Sequence, residues 1–239
     1  MLNVYVTKRD IEILKFINDM KFSNVDQIHR LFFEGKGKQY IQRRLRKFSD
    51  EGYLVRYPDW GGRRFNYGVS EEGLSLILRG GVNTVPLSLK KIDIKNFEHD
   101  KVLTELRIRL ERLGLVSDWK SERLIRYEED FLSFGLGERI ISDGYGFSVK
   151  KKHRVIIEFE HSRKSNQRIK SLLKKYSEYF REKGESEFGC ALFFFSDPNV
   201  KSYYERIFSK MNYSYPCEFF DLSELSLNVS KMAGVRYVQ

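Results

Sequence analysis

Cys190-Ala191-Leu192-Phe193-Phe194-Phe195 is an unbroken apolar run bounded by Gly189 and Ser196. It is far short of the ~20 residues that a membrane-spanning helix needs, so the protein itself must hide it. A short run of this kind, rich in aromatic side chains and closed by turn-forming neighbours, predicts a strand buried between two layers. The flanking sequence supplies the layers. Arg163 to Lys183 predicts a long basic helix with Ile169, Leu172, Leu173, Tyr176 and Phe180 inward, Val200 to Met211 a further helix, and Cys217 to Leu222 a last strand. Upstream, Val102, Leu103, Leu106 and Leu110 mark a helix over Phe97 to Leu113 that Gly114 ends. Strands are predicted over Trp119 to Tyr127, Arg139 to Asp143 and His153 to Glu160. Helix, three strands, helix and strand make an α/β layered domain with a small mixed sheet.

The first third of the chain has a different character. Ile11, Leu14, Ile17 and Met20 recur at helical spacing behind Thr7, a suitable N-cap. Val25, Ile28 and Leu31 give a second, short helix behind Asn24, broken by Gly35 and Gly37. Lys38 to Glu51 reads as a third helix, with Ile41, Leu45 and Phe48 on one side and Lys38, Gln42, Arg43, Arg44, Arg46 and Lys47 around the rest. A Gly52-Tyr53-Leu54 step then leads into a β-hairpin whose tip, Pro58 to Gly62, is followed by Arg63 and Arg64. Ser70 to Leu78 closes this part as a helix. Three helices and a basic hairpin over residues 7 to 78 resemble the winged helix-turn-helix. That resemblance implies a recognition helix in the major groove of double-stranded DNA, presenting Lys38, Arg43, Arg44 and Lys47, with Arg63 and Arg64 on the wing. A solvated helix face would carry similar charges, and phosphate contacts alone would give no sequence readout.

The most informative carboxylates lie in His153-Arg154-Val155-Ile156-Ile157-Glu158-Phe159-Glu160. Strand residues two apart share a face, so Glu158 and Glu160 project together, away from Val155, Ile157 and Phe159. Asp143 ends the preceding predicted strand, where it can converge on Glu158 across the sheet. Carboxylates so gathered repel one another unless a cation holds them, and an all-oxygen donor set suits Mg²⁺ or Mn²⁺.

These residues resemble the PD-(D/E)XK restriction-endonuclease-like superfamily, with Asp143 as the first acid and Glu158-Phe159-Glu160 in place of the (D/E)-x-K tripeptide. The resemblance implies a metal held by Asp143, Glu158 and the Phe159 carbonyl, which polarises a phosphate and lowers the pKa of an attacking water. Two positions depart from the pattern. Ser142 replaces the proline, and Glu160 replaces the lysine, where it would serve as base or second metal ligand. Lys164 or Lys174 on the next helix could restore the missing positive charge.

Taken in order, the hairpin-bearing domain, Glu98-His99-Asp100-Lys101-Val102, Ser142-Asp143, Glu158-Phe159-Glu160-His161 and Lys175-Tyr176 are similar to the replication-relaxation family. They are also similar to its relatives, the MOB-C plasmid mobilisation relaxases. The implied organisation is a winged-helix domain over 1–80, a linker over 81–96 and a nuclease-like domain over 97–239. The implied function is metal-dependent nicking at an origin of transfer, assisted by an accessory DNA-binding protein and a coupling ATPase. The competing reading is a non-catalytic DNA-binding regulator or replication accessory that keeps the nuclease fold as a scaffold.

The remaining candidates divide between plain and functional roles. His99 and Asp100 read as a helix-start cap or as support for the site, and His161 as a strand end or a phosphate or metal contact. Tyr176 lies at core spacing among 14 tyrosines. The four histidines form no His-x-His cluster, which does not support a histidine-metal relaxase with a tyrosine nucleophile. Forty-three Lys+Arg against 33 Asp+Glu give a net charge of +10, which draws polyanions. Cys190 and Cys217 lack metal-ligand spacing and read as buried thiols of a reducing compartment, and Met1 to Asp10 has no apolar signal segment. The expectation is a cytoplasmic protein without a membrane partner.

Overall fold

A computed structural model of the chain describes residues 5–33, 35–59, 64–82, 84–85, 96–223 and 225. It is a mixed α+β protein that divides into two compact units, Met1–Ile108 and Arg109–Gln239.

In the first unit, α1 (Lys8–Asp19) and α2 (Val25–Phe32) begin at capping boxes. The side chains of Thr7 and Asp10 accept from each other's backbone N–H in one, and those of Asn24 and Gln27 in the other, so both helices start where the sequence predicts. Helix α3 (Lys38–Asp50) buries Ile41, Leu45 and Phe48. The short β1 (Ser23–Asn24) pairs with β3 (Phe65–Val69), which pairs with β2 (Leu54–Pro58), giving a three-stranded antiparallel sheet in the order β1-β3-β2. Helix α4 (Glu71–Arg79) follows from an N-cap at Ser70. The hairpin tip, with Trp60, Gly61, Gly62 and Arg63, lies outside the described residues, as does most of the linker read over 81–96.

Helix α5 (Phe97–Arg112) begins inside this unit, and the division between the units falls within it rather than at the 81–96 segment. The reason is visible in its contacts. Phe97 stacks on Phe22 at 4.7 Å between centroids, Lys21 donates to both oxygens of Asp100 at 2.8 and 2.9 Å, and the Gln27 side chain donates to the Lys101 carbonyl at 3.0 Å.

The second unit is built on a five-stranded sheet in the order β10-β9-β8-β7-β4. Its strands are β4 (Val116–Ser121), β7 (Gly144–Ser148), β8 (His153–Glu160), β9 (Cys190–Phe195) and β10 (Cys217–Asp221). The last three run parallel, joined by α7 (Asn166–Lys183) and α8 (Pro198–Lys210), while β7 is antiparallel to both its neighbours. Ile156, Phe193 and Phe195 of the sheet meet Leu173 and Tyr176 of α7 and Tyr204 of α8 in one core. Glu158 and Glu160, two and four residues after Ile156, share that helix-covered face.

Three expectations are corrected here. The strand read over Trp119 to Tyr127 stops at Ser121, whose hydroxyl accepts from the Leu124 N–H and starts α6 (Glu122–Tyr127). The strand read over Arg139 to Asp143 is only Glu138–Ile140, β6, and it pairs with β5 (Leu132–Phe134) in a separate ribbon. Asp143 therefore precedes a strand instead of ending one. That strand, β7, was not anticipated because Gly144 and Gly146 weaken the pattern. Both glycines are required by close packing: a Cβ on Gly144 would sit 2.8 Å from the Trp119 ring, and one on Gly146 would sit 2.2 Å from Val116 Cγ1. Cys190 is buried and Cys217 half-buried, and both are free thiols. Among the described residues, no helix is long and apolar enough to cross a membrane.

Because Val116 is itself buried, Gly146→Ala should lower the stability of the second unit by about 1–3 kcal/mol. Urea unfolding should show this as a lower midpoint, and adding Val116→Ala should recover part of the loss.

Candidate functional site: an acid pair and a basic helix

Strand β8 carries the acids to its carboxyl end, and the register fixes what they face. Gly144 pairs with Ile157, so Asp143, one residue earlier, stands opposite Glu158. The Phe159 N–H donates to Asp143 Oδ2 at 2.7 Å, which ties the acid to the strand. Glu158 is 7% exposed and Glu160 2%. Burial first, and then the neighbouring Asp143 charge, push the Glu158 carboxyl well above the usual carboxylate range, against the opposing pull of Tyr176. Burial raises Glu160 as well, opposed by Lys164.

Two side chains compensate these acids. The fully buried Tyr176 donates its hydroxyl to Glu158 Oε1, and Lys164 donates to Glu160 Oε1 at 2.5 Å. Of the two lysines considered, Lys164 is thus the one brought to the acids. Lys174 lies on the outer face of α7 and pairs with Glu178 at 3.6 Å. Tyr176 belongs to the core, as its helical spacing indicates, and its hydroxyl is occupied by Glu158. Burial, reinforced by Glu158, pushes that hydroxyl well above the ordinary tyrosine range, so its ionised form is disfavoured. The buried Tyr204 was not anticipated: it faces Glu160 from α8, and the apolar stripe Val200, Tyr204 and Ile207 was its only sequence signal. His161 is exposed at the strand end, where its carbonyl accepts from Ser196 Oγ at 3.0 Å. Among the described residues, no three His, Cys, Asp or Glu side chains form a ready-made metal cage.

His99 and Asp100 belong to the first unit. Asp100 is buried, held by Lys21 as described, and His99 Nδ1 lies 3.6 Å from it.

The basic face of α3 also lies in the first unit. Lys38, Arg43, Arg46 and Lys47 are exposed, and exposed Arg56 adds a cation on β2. Lys38 reaches Asp26 on α2, and Arg64 approaches the same carboxylate at 3.6 Å. Arg44 is placed differently. Its guanidinium turns inward to grip both oxygens of Asp10, lies over the Phe48 ring at 4.7 Å and donates to the Tyr5 carbonyl at 2.6 Å. Burial pushes the Asp10 carboxyl up, but hydrogen bonds from Arg44 and Thr7 outweigh it and leave the carboxyl below its ordinary value.

A carboxyl depressed in the folded state contributes stability above its unfolded pKa and loses it as the pH falls through the folded one. Arg44→Ala should therefore cost about 1–3 kcal/mol at pH 7, by leaving buried Asp10 short of partners. The gap from wild type should close as the pH is lowered through the acidic range below Asp10's ordinary value. Arg43→Ala and Lys47→Ala should stay within about 0.5 kcal/mol of wild type, as exposed substitutions do. Chemical denaturation at pH 7 and at pH 3 checks both.

Comparison with known proteins gives one family. The model of the family described as replication-relaxation matches residues 14–189. No curated protein and no solved structure gave a match.

Proposed function

The chain belongs to the replication-relaxation family, and we propose that it binds duplex DNA through its first unit and nicks one strand at the acids of its second. The observation that carries the reading is the buried Glu158 set opposite Asp143 at the carboxyl edge of parallel strands, where α/β proteins bind their ligands. A buried carboxyl whose proton affinity is raised by burial and by a neighbouring acid is a site a cation relieves.

The donor set fits Mg²⁺ or Mn²⁺, which take one or two carboxylates and complete their shell with water. Asp143 and Glu158 would hold the ion, with Glu160 as a further ligand or base. A cation bound there would polarise the phosphate and acidify an attacking water. Lys164, ion-paired to Glu160, returns from the turn before α7 the positive charge that a PD-(D/E)XK strand carries at the position of Glu160.

In the first unit, three helices, the β1-β3-β2 sheet and the β2–β3 hairpin suit a winged helix that lays α3 in the major groove. Arg43, Arg46 and Lys47 would meet DNA there. Arg44 would serve by fixing α3 to α1 rather than by touching DNA. The whole reading is that of a relaxase acting at a plasmid or mobile-element origin, with an accessory DNA-binding protein and a coupling ATPase as partners.

One observation favours a second reading, a non-catalytic regulator. Each acid already has a protein partner: Phe159 N–H for Asp143, Tyr176 for Glu158 and Lys164 for Glu160.

Plasmid relaxation separates the two. Wild-type protein should convert supercoiled plasmid carrying its own origin to open circle with Mg²⁺ or Mn²⁺, and not with EDTA. Glu158→Ala should abolish nicking while duplex binding persists. Tyr176→Phe should slow nicking about 10–100-fold, as loss of an outer-shell partner does, and should not abolish it. Binding without nicking by both wild type and Glu158→Ala, under every divalent metal, would leave the regulator.

A further inference from the structure

The carboxyl edge of β8 and β9 is also where α7 and α8 begin. Chain leaving Glu160 passes through His161, Arg163 and Lys164 to the N-cap Ser165, and chain leaving Phe195 passes through Ser196 to the N-cap Asp197. Lys164 turns in to Glu160, but its neighbour Arg163 turns out. The Arg163 guanidinium lies over the ring of Tyr203 on α8, 3.8 Å from the centroid. Arg206, three residues further along α8, approaches the same ring at 5.0 Å. Tyr203 therefore bears two cations on the outside of α8, while the adjacent Tyr204 faces Glu160 on the inside.

Both arginines are exposed, and neither is ion-paired among the described residues. The nearest anion on α8, Glu205, is shared with Lys201 at 4.0 Å. Two like charges over one ring repel each other, and a cation–π contact at an exposed site offsets only about 0.5–1 kcal/mol. An anion placed between the guanidiniums would reverse the balance. A guanidinium stacked on a ring keeps N–H groups of its planar fork free to meet phosphate oxygens in pairs, and at 3.8 Å from the Tyr203 centroid Arg163 is close enough to stack.

We propose that Arg163 and Arg206, positioned by Tyr203, clamp the phosphates of a single DNA strand and seat it beside the Glu160–Lys164 pair. The inference rests on the reading of the acids as a strand-cutting site, since that reading brings a strand to this edge. Tyr203 is a positioning residue; the arginines make the contacts.

The test is binding of the full-length protein to a fluorescent single-stranded oligonucleotide in EDTA, by anisotropy across a salt series. Each phosphate contact to a single strand contributes about 0.7 to the slope of log K against log salt. Arg163→Ala and Arg206→Ala should each flatten the slope by about that amount. Tyr203→Leu should weaken binding about 2–5-fold, and Tyr203→Phe should restore it. Arg163→Lys, which keeps charge but not the planar fork, should bind more weakly than wild type. Retained duplex binding reports that the variants are folded. Wild-type slope and affinity in both arginine variants would overturn the clamp. Because no metal is present, plasmid nicking measured in parallel keeps the two readings apart: nicking with unchanged slopes sinks the clamp alone, and flattened slopes without nicking sink only the cutting site.

Discussion

Two carboxyl groups sit on the helix-covered face of a central strand, and much of the second unit answers to that fact. A bare carboxylate taken out of water costs several kcal/mol, and Glu158 and Glu160 are both almost fully enclosed. The compensation is local. Lys164 follows Glu160 by four residues, within the turn that leads to α7, and Tyr176 comes round on the inner face of the same helix to reach Glu158. The start of α7 at Ser165 and its rotation about its axis are thus fixed by polar contacts as much as by Ile169, Leu173 and Phe180. Asp143 is fixed differently, by a backbone N–H of the strand it faces. The three acids are held by three chemically distinct devices, which lets a change in one leave the other two in place.

The first unit repeats the logic around one carboxylate. Asp10 is buried at the start of α1, where it serves both the capping box and the guanidinium of Arg44 from α3. The contact locks the outer helix to the inner one and withdraws one cation from a face of α3 that otherwise displays them. Arg43, Arg46 and Lys47 are left outward because the apolar stripe Ile41, Leu45 and Phe48 turns their positions away from the core.

Periodicity made the central elements legible. The alternation in His153–Glu160 located β8 to the residue and placed its two acids together, and the caps Thr7 and Asn24 located α1 and α2. What periodicity cannot express is partnership. It put Arg44 and Arg43 on the same charged surface, yet Asp10 lies 34 residues away and only the fold brings it near. It left Lys164 and Lys174 as equals, though one reaches Glu160 and the other Glu178. It missed β7, because the two glycines that weaken the pattern are there to let Trp119 and Val116 approach. It extended β4 into α6, because six residues that begin at a serine cap are too few to show a helical repeat.

The same geometry couples two kinds of charge at one edge of the sheet. Parallel strands end there and two helices begin, so helix N-termini and the cations Arg163, Lys164 and Arg206 lie around carboxyls that are themselves buried. At long range such a rim draws a polyanion, and the net charge of +10 acts in the same direction. On the proposed reading, a phosphate brought to this edge would be opposed at short range by Asp143 and Glu158. A bound cation, or protons on the carboxyls, would remove the opposition, so on that reading phosphate and cation would each bind more tightly when the other is present. A chain that kept the basic rim and lost either acid would keep the attraction without the coupling, which is the physical difference between a protein that holds DNA and one that acts on it.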